Sequence, residues 1–422
     1  MKTGHPEISV LMSVYNGETF LREAVESVLN QTFTDFEFII INDGSTDATS
    51  EILASYADER IVLISQENIG LTKSLNKGLS LARGTRIARM DADDISKPHR
   101  LEKQVAYVHD NPHVVLLGSN YIKIDEAGNI TGRTNLPGEE VLIKWKLLFH
   151  NCLCHSSILF HKEKVLDLGG YDSTIYCAQD YDLWTRIAKK YPVAVSAEPL
   201  VCFREPRAGA ITIDKADEQT RQAQNISVAV LQDLNPEYGT RQEKLRSFSC
   251  FMCDKSAEGS LEDAEKVFLS TLSAFPGLPF ADTPRDMHLK TIRARTYIKF
   301  AWAHYAQGSL ENFNRCIHEA MACGLRSSID IPVDDLGAAE PYLFNALYAF
   351  FSKNRQSMEE KERRDDFLSN QYIHLAWKYH ARDDMKNFRR CIVQSLKKRL
   401  CIRVAFLFIK SLLGKKLWEK LA

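Results

Sequence analysis

The first 212 residues predict an α/β domain with a mostly parallel sheet, and the rest of the 422-residue chain predicts an all-α, repeat-like region. Strand-length apolar runs alternate with helical spacing from Ile8 to Met90. Three of those runs end in polar clusters, and strand signals fade after about Ile213.

Ile8 to Val14 reads as a buried strand. Glu18 to Asn30 follows with Phe20, Leu21, Ala24, Val25 and Val28 at helical spacing. Phe36 to Ile41 is a second strand, ended by Asn42-Asp43-Gly44-Ser45. Asp47 opens a helix through Tyr56, where a carboxylate can take free backbone N–H groups. Ile61 to Ile64 is a short strand, Leu71 to Ala82 is amphipathic, and Arg86 to Met90 is a strand that delivers Asp91-Ala92-Asp93-Asp94. Alternation of this kind implies parallel strands covered by helices, and such sheets bind ligands beyond the carboxyl ends of their strands. Tyr15-Asn16-Gly17, Asp43-Gly44-Ser45-Thr46-Asp47 and the Asp91 cluster all fall there. Between Gln104 and Arg207 the pattern is mixed. Asp125 to Asn129 is a hairpin turn, and Asp180-Tyr181-Asp182-Leu183-Trp184 begins a helix that runs to about Lys189.

Beyond the first domain (1–212) the pattern divides into a connecting helix (213–245), a helical region (246–400) and a basic amphipathic helix (401–422). Ala301-Trp302, Ala306, Asn312-Phe313 and Arg315-Cys316-Ile317 recur in register as Ala376-Trp377, Ala381, Asn387-Phe388 and Arg390-Cys391-Ile392. Gly259-Ser260-Leu261-Glu262 recurs at Gly308-Ser309-Leu310-Glu311. Stacked helical hairpins repeat in this way; unrelated helices sharing common residues are the alternative.

Composition limits the function classes. Apolar residues are 45% and charged residues 26%, the globular range. A net charge of −1 gives no general footprint for nucleic acid, so no nucleic-acid partner is expected. Ten cysteines form no dense framework. Cys250-x-x-Cys253 lacks a second pair at zinc spacing and reads as structural thiols in a reducing cytosol. No signal peptide is visible, and no run of about 18 apolar residues suggests a membrane span. A cytoplasmic location follows as an expectation, with peripheral attachment to the inner face of the cell membrane as its variant.

Asp91 and Asp93 lie one residue apart at a strand end. They can converge on a hard cation such as Mn²⁺ or Mg²⁺, which takes oxygen ligands and is often shared with phosphates. A solvated turn capped by Asp94 is the plainer alternative. Asp43-Gly44-Ser45 can read a nucleobase, because a carboxylate accepts from an imide N–H and glycine allows close approach. Tyr15 offers a stacking face. A simple strand-to-helix turn is the alternative there. Asp180 opens a helix beside apolar neighbours and can serve as a desolvated general base or as an N-cap.

Together these residues resemble the inverting family 2 glycosyltransferases. The resemblance spans about residues 7–212. It rests on Ile8 to Gly17, Ile40 to Asp47, Asn68-Ile69-Gly70-Leu71 with Asn76-Lys77-Gly78, Arg89 to Asp94, Gly169-Gly170-Tyr171 and Gln179 to Trp184. It implies the GT-A fold, a Rossmann-like sheet, and transfer of a sugar with inversion from a nucleoside-diphosphate donor, expected to be a UDP-sugar, to an acceptor hydroxyl. Carried over by position, Tyr15, Asn16, Asp43, Ser45, Asn76, Asp91 and Arg207 would hold the nucleotide sugar. Asp91 and Asp93 would hold Mn²⁺ or Mg²⁺, and Asp180 would be the base. Two departures stand out. Gln179 replaces the usual glutamate before the base. Phe203-Arg204-Glu205-Pro206-Arg207 lacks a histidine often found there, so Arg207 is the candidate for the diphosphate and the third metal ligand is open.

The resemblance further implies a glycan or lipid-linked acceptor and a role in bacterial surface polysaccharide or lipid-linked glycan assembly. The rival reading is an inactive member of the same fold that binds a protein partner through its helical repeats. A dehydrogenase is excluded by the missing G-x-G-x-x-G after the first strand. A sugar-phosphate nucleotidyltransferase is excluded by the missing glycine-rich basic loop. The tail from Lys386 to Lys420 is strongly basic, with Phe406, Leu413 and Trp418 among its apolar residues. It reads either as an anchor on an anionic membrane surface or as a capping helix docked on the repeats.

Overall fold

The computed structural model describes residues 5–206, 211–239, 241–253, 259–280, 286–323 and 391. The first half is β1 (Ile8–Val14), α1 (Leu21–Leu29), β2 (Phe36–Asp43), α2 (Thr49–Ala54), β3 (Ile61–Gln66), α3 (Leu71–Leu81), β4 (Arg86–Arg89), β5 (Ile95–Ser96) and α4 (Arg100–Asp110). There follow β6 (Leu116–Ile124), β7 (Ile130–Arg133), α5 (Glu140–Leu147), β8 (Leu159–His161), α6 (Lys162–Leu166), α7 (Gln179–Lys190) and β9 (Val193–Arg204). The helices α8 (Ile211–Asp214), α9 (Ala216–Leu234), α10 (Gln242–Met252), α11 (Leu261–Ala274), α12 (Asp286–Ala306) and α13 (Leu310–Ala322) complete the described chain.

The strands form one mixed sheet in the order β3-β2-β1-β4-β8-β6-β9-β5, with β7 on β6. The four strands β3, β2, β1 and β4 are all parallel, so the expected α/β order holds where the sequence alternates. Antiparallel pairing enters with β8 and is confined to the second half, except that β6 and β9 run parallel. The hairpin expected at Asp125 to Asn129 closes through the Asp125 N–H to Asn129 O bond, 3.0 Å.

The central strands are buried on both faces, which is why they read as continuous apolar runs rather than alternating ones. Val10, Met12, Phe38 and Ile40 pack with α1 and α4, while Leu11, Ile39 and Ile41 pack with α3 and α7 on the opposite face. Gly78 lets α3 lie close to the sheet: a Cβ there would stand 2.2 Å from Leu11 Cδ1. Beneath the same sheet end, Ser9 and Arg83 hold the buried Glu37 carboxylate at 2.6 Å.

The first compact unit runs to Pro284 and takes in α8 to α11 as well as the sheet. Aromatic packing is the reason. Trp145 of α5 and Phe149, just after that helix, meet Phe248 of α10, Phe268 of α11 and Phe275 edge to face, with ring centroids 5.2–6.2 Å apart. The helices α10 and α11 and Phe275 therefore pack with the sheet domain through these rings. The second unit, Arg285–Ala422, is described here as the hairpin α12–α13, where Trp302 and Phe313 stack at 5.4 Å. The two Gly-Ser-Leu-Glu copies both open helices. Gly259 and Gly308 have positive φ, and Ser260 caps α11 by accepting from the Asp263 N–H at 3.0 Å.

The second copy of the longer repeat lies outside the described residues, apart from Cys391, and so does the basic helix 401–422. Among the described residues no helix is long and apolar enough to cross a membrane. The described cysteines are free thiols. Cys250 is buried, and Cys253 donates to Phe149 O at 3.3 Å.

Candidate active site

The carboxyl ends of β1, β2 and β4 converge, as the parallel order requires. The loops after β1 and β2 are latched to one another. The Asn16 N–H donates to Ser45 Oγ (3.0 Å), and Asn16 Oδ1 accepts from the Thr46 N–H (2.8 Å). Asn16 holds φ of 53°, a conformation asparagine tolerates better than most residues. Thr49 Oγ1 takes the Gly17 N–H at 2.9 Å, and Asp47 takes the Glu18 and Thr49 N–H groups at 3.0 Å. Asn16 and Ser45 thus spend polar groups on the wall of the cleft. Tyr15 stands out from that wall, 52% exposed, with its ring open.

Asp43 departs from the open acceptor that the sequence suggests. It is 2% exposed, and its carboxylate accepts from Gln66 Nε2 (2.8 Å), the Ile69 N–H (3.0 Å) and the Gly70 N–H (2.9 Å). These bonds order the segment after β3, so three of the carboxylate's roughly four acceptor positions are already taken. Asn76 departs in the same way. Its amide pairs with the backbone of Tyr171 in both directions, donating to Tyr171 O (2.7 Å) and accepting from the Tyr171 N–H (2.9 Å). That is a brace between α3 and the loop before α7. Arg207 lies outside the described residues.

The acidic cluster follows β4. Arg89, wholly buried, binds Asp91 Oδ1 through Nη2 at 2.5 Å and also donates to Met90 O. Ser156 Oγ donates to Asp91 Oδ2 (2.8 Å) and accepts the Asp91 N–H (3.0 Å). Burial alone would raise the Asp91 carboxyl. The Arg89 guanidinium and the Ser156 hydroxyl outweigh it and hold Asp91 below the ordinary carboxylate range. Asp93 is the more exposed of the pair. Desolvation in the cleft and the charge of Asp91 push it up to about 6. Asp94 is turned inward, 1% exposed, and accepts the Arg204 N–H at 2.7 Å.

Asp180 stands in the first turn of α7. The N-cap position belongs to Ala178, which removes the plain capping explanation. Its carboxylate accepts from the Tyr181 N–H and from Asn151 Nδ2, both at 2.7 Å. A helix N-terminus favours a carboxylate's charge. Burial nevertheless dominates and, with the charge of Asp91 added, raises Asp180 to about 6.

One segment joins the two acidic groups. Asn151 holds Asp180, and Ser156 holds Asp91. Between them His155 bonds Tyr171 Oη at 3.0 Å and packs on Trp184 at 5.8 Å. Burial, with the nearby Arg89 charge, lowers His155 to about 3, so it is neutral at working pH. Sequence reasoning missed Arg89, Asn151, His155, Ser156 and Arg204. The visible signal was a polar stretch set between the apolar runs Leu147-Leu148-Phe149 and Ile158-Leu159-Phe160.

The residues fit a hard divalent cation. Asp93 sits at the mouth with no side chain bonded to its carboxylate among the described residues. Asp91 is ionised and rotationally fixed behind it, and all donors are oxygen.

The model of the glycosyl transferase family 2 domain matches residues 9–169. An uncharacterized glycosyltransferase of Methanocaldococcus jannaschii is 39% identical over 48% of this chain and 71% of its own length. The amylovoran biosynthesis glycosyltransferase AmsE of Erwinia amylovora is 34% identical over 49% of this chain and 78% of its own. The O-antigen biosynthesis glycosyltransferase WbnJ of Escherichia coli is 35% identical over 44% and 73%. All these matches cover about half of the present chain. With the three strand-end clusters, the paired carboxylates after β4 and the aspartate of α7 brought into one cleft, the chain belongs to glycosyl transferase family 2.

Proposed function

We propose that this protein transfers a sugar, with inversion, from a nucleoside-diphosphate donor to an acceptor hydroxyl, in assembly of a surface polysaccharide or lipid-linked glycan. The observation that carries the reading is Asp180. It is an aspartate raised to about 6, in the same cleft as Asp91 and Asp93 and tied to them through residues 151–156. A base with that value is ionised at neutral pH and still basic enough to take a proton.

The donor's base would lie against Tyr15 and the segment that Asp43 orders, and its diphosphate would lie toward Asp93. A Mn²⁺ or Mg²⁺ ion held by Asp93, with Asp91 behind it, supplies positive charge for the diphosphate. The chain's own residues do the rest. Asp180 Oδ accepts the acceptor's hydroxyl proton as the oxygen bonds to the anomeric carbon. The bond from that carbon to the diphosphate oxygen breaks, and the electron pair leaves with the nucleoside diphosphate. Attack from the side opposite the leaving group inverts the anomeric centre. Tyr181 N–H and Asn151 hold the carboxylate toward the acceptor, and neutral His155 adds no charge that would compete with it.

AmsE and WbnJ are named for amylovoran and O-antigen biosynthesis, which supports a polysaccharide role. The test is a panel of nucleotide sugars with Mn²⁺ and Mg²⁺, read by hydrolysis and by proton NMR of the product's anomeric centre. Release of a nucleoside diphosphate with an inverted product supports the proposal. A retained configuration rejects the single displacement at Asp180, and no turnover or hydrolysis of any donor rejects the reading as a whole.

A further inference from the structure

We propose that Arg204 is the positioning residue of the acidic cluster: it fixes the backbone on which Asp93 is presented. The inference rests on the metal reading of Asp91 and Asp93 and goes beyond it. Arg204 ends β9, where Cys202 pairs with Ile95 and Arg204 pairs with Ile124. Its guanidinium is 3% exposed and serves several segments at once. Nε donates to Asp93 O at 2.9 Å, Nη1 donates to Asp125 O (2.9 Å) and Glu126 O (3.0 Å), and Nη2 donates to Glu23 at 2.6 Å. Its own backbone N–H holds Asp94 at 2.7 Å, and the guanidinium stacks 4.0 Å over the Phe20 ring.

The geometry explains why a carboxylate as exposed as Asp93 has a defined position. Among the described residues no other side chain holds its carboxylate, so its direction comes from its backbone. That backbone is pinned from below at Asp93 O and on the following residue at Asp94 Oδ1. A guanidinium suits the task because its planar donors reach several carbonyls in fixed directions. A lysine keeps the charge but offers donors from a single nitrogen.

The test is Arg204→Lys in the full chain. Free Mn²⁺ is titrated by electron paramagnetic resonance with uridine or guanosine diphosphate present, and nucleotide binding is also measured in EDTA. Loss of an outer support of this kind weakens metal affinity about tenfold or more. Metal-free nucleotide binding stays the same, because Tyr15 and the 66–70 segment are untouched. Mn²⁺ affinity unchanged in the folded variant overturns the proposal, as does an equal loss of metal-free nucleotide binding. Should Arg204→Lys not fold, the double variant Phe20→Leu, Glu23→Gln removes two supports of the guanidinium while sparing every carboxylate of the cluster. It is expected to weaken Mn²⁺ binding about threefold, and unchanged binding counts against the proposal. Absence of Mn²⁺ binding in the unaltered chain overturns the metal reading along with this one. Binding that is indifferent to Arg204 overturns this one alone.

Discussion

Replacing Asp180 by Asn separates the base from its surroundings, because the same environment that makes the carboxylate basic should make it costly to the fold. The folded-state value is about 6 against an ordinary 3.8. At about 1.4 kcal/mol per unit, an ionised Asp180 costs the native state about 3 kcal/mol. The sign follows from proton binding. Between the unfolded value and about 6 the native state holds the extra proton, so stability falls as pH rises through that window and is level above it. Asparagine has no such penalty. It does lose one of two good bonds, since the Tyr181 N–H and Asn151 Nδ2 both need acceptors and the amide offers one oxygen; that costs about 1 kcal/mol. Asp180→Asn should therefore be more stable than the parent by about 1–2 kcal/mol at pH 7. The gain should vanish and reverse near pH 4. Turnover should be lost with donor binding kept, because the missing interaction forms in the transition state. In the parent, kcat/KM should rise with pH through about 6 and then level. Urea denaturation at pH 4 and pH 7, with a pH–rate profile beside it, checks both halves. A stability difference that does not change with pH, or a parent rate flat down to pH 5, would refute the reasoning.

Asp93→Asn should abolish metal-dependent turnover without lowering the melting temperature, since among the described residues its carboxylate bonds no other side chain; full activity in EDTA would count against the metal. Asp91→Asn should also lose activity but melt clearly lower, because it leaves wholly buried Arg89 without its counter-charge, a loss on the order of 3 kcal/mol. Asn76→Ala should lower stability by about 2 kcal/mol through two lost bonds to Tyr171. Its donor KM should stay near the parent's, and a large rise in KM would restore a direct binding role. For the tail, anionic liposomes should sediment the full chain but not a chain ending at Leu400; equal behaviour of the two would assign the basic segment to docking.

The sheet was legible because its determinants are local. Seven consecutive buried residues in β1 and eight in β2 leave little else for those runs to be. That the polar clusters after β1, β2 and β4 share one end of the sheet followed from parallel order alone. What the helices after residue 212 pack against was not legible. Strand signals do stop near residue 212, but the core does not. Phe248, Phe268 and Phe275 look like ordinary helix residues until Trp145 and Phe149 are placed beside them.

The site divides along the same line. A sequence shows which carboxylates stand at strand ends. It does not show which of their lone pairs are already taken. Asp43 and Asp93 look alike in the chain, each near a small residue after an apolar run. Asp43 accepts from Gln66 and the Ile69 and Gly70 amides, whereas Asp93 has no side-chain partner for its carboxylate among the described residues. The partners that decide this are remote. Ser156 stands 65 residues from Asp91, and Arg204 stands 111 residues from Asp93. Arg204 was read only as the residue before a missing histidine. In the fold it is a buried cation that braces the acidic loop. On the proposed reading, a metal site would be completed against a loop that Arg204 braces from behind. The acidic cluster then favours a ligand that fits its fixed geometry over one that reshapes it.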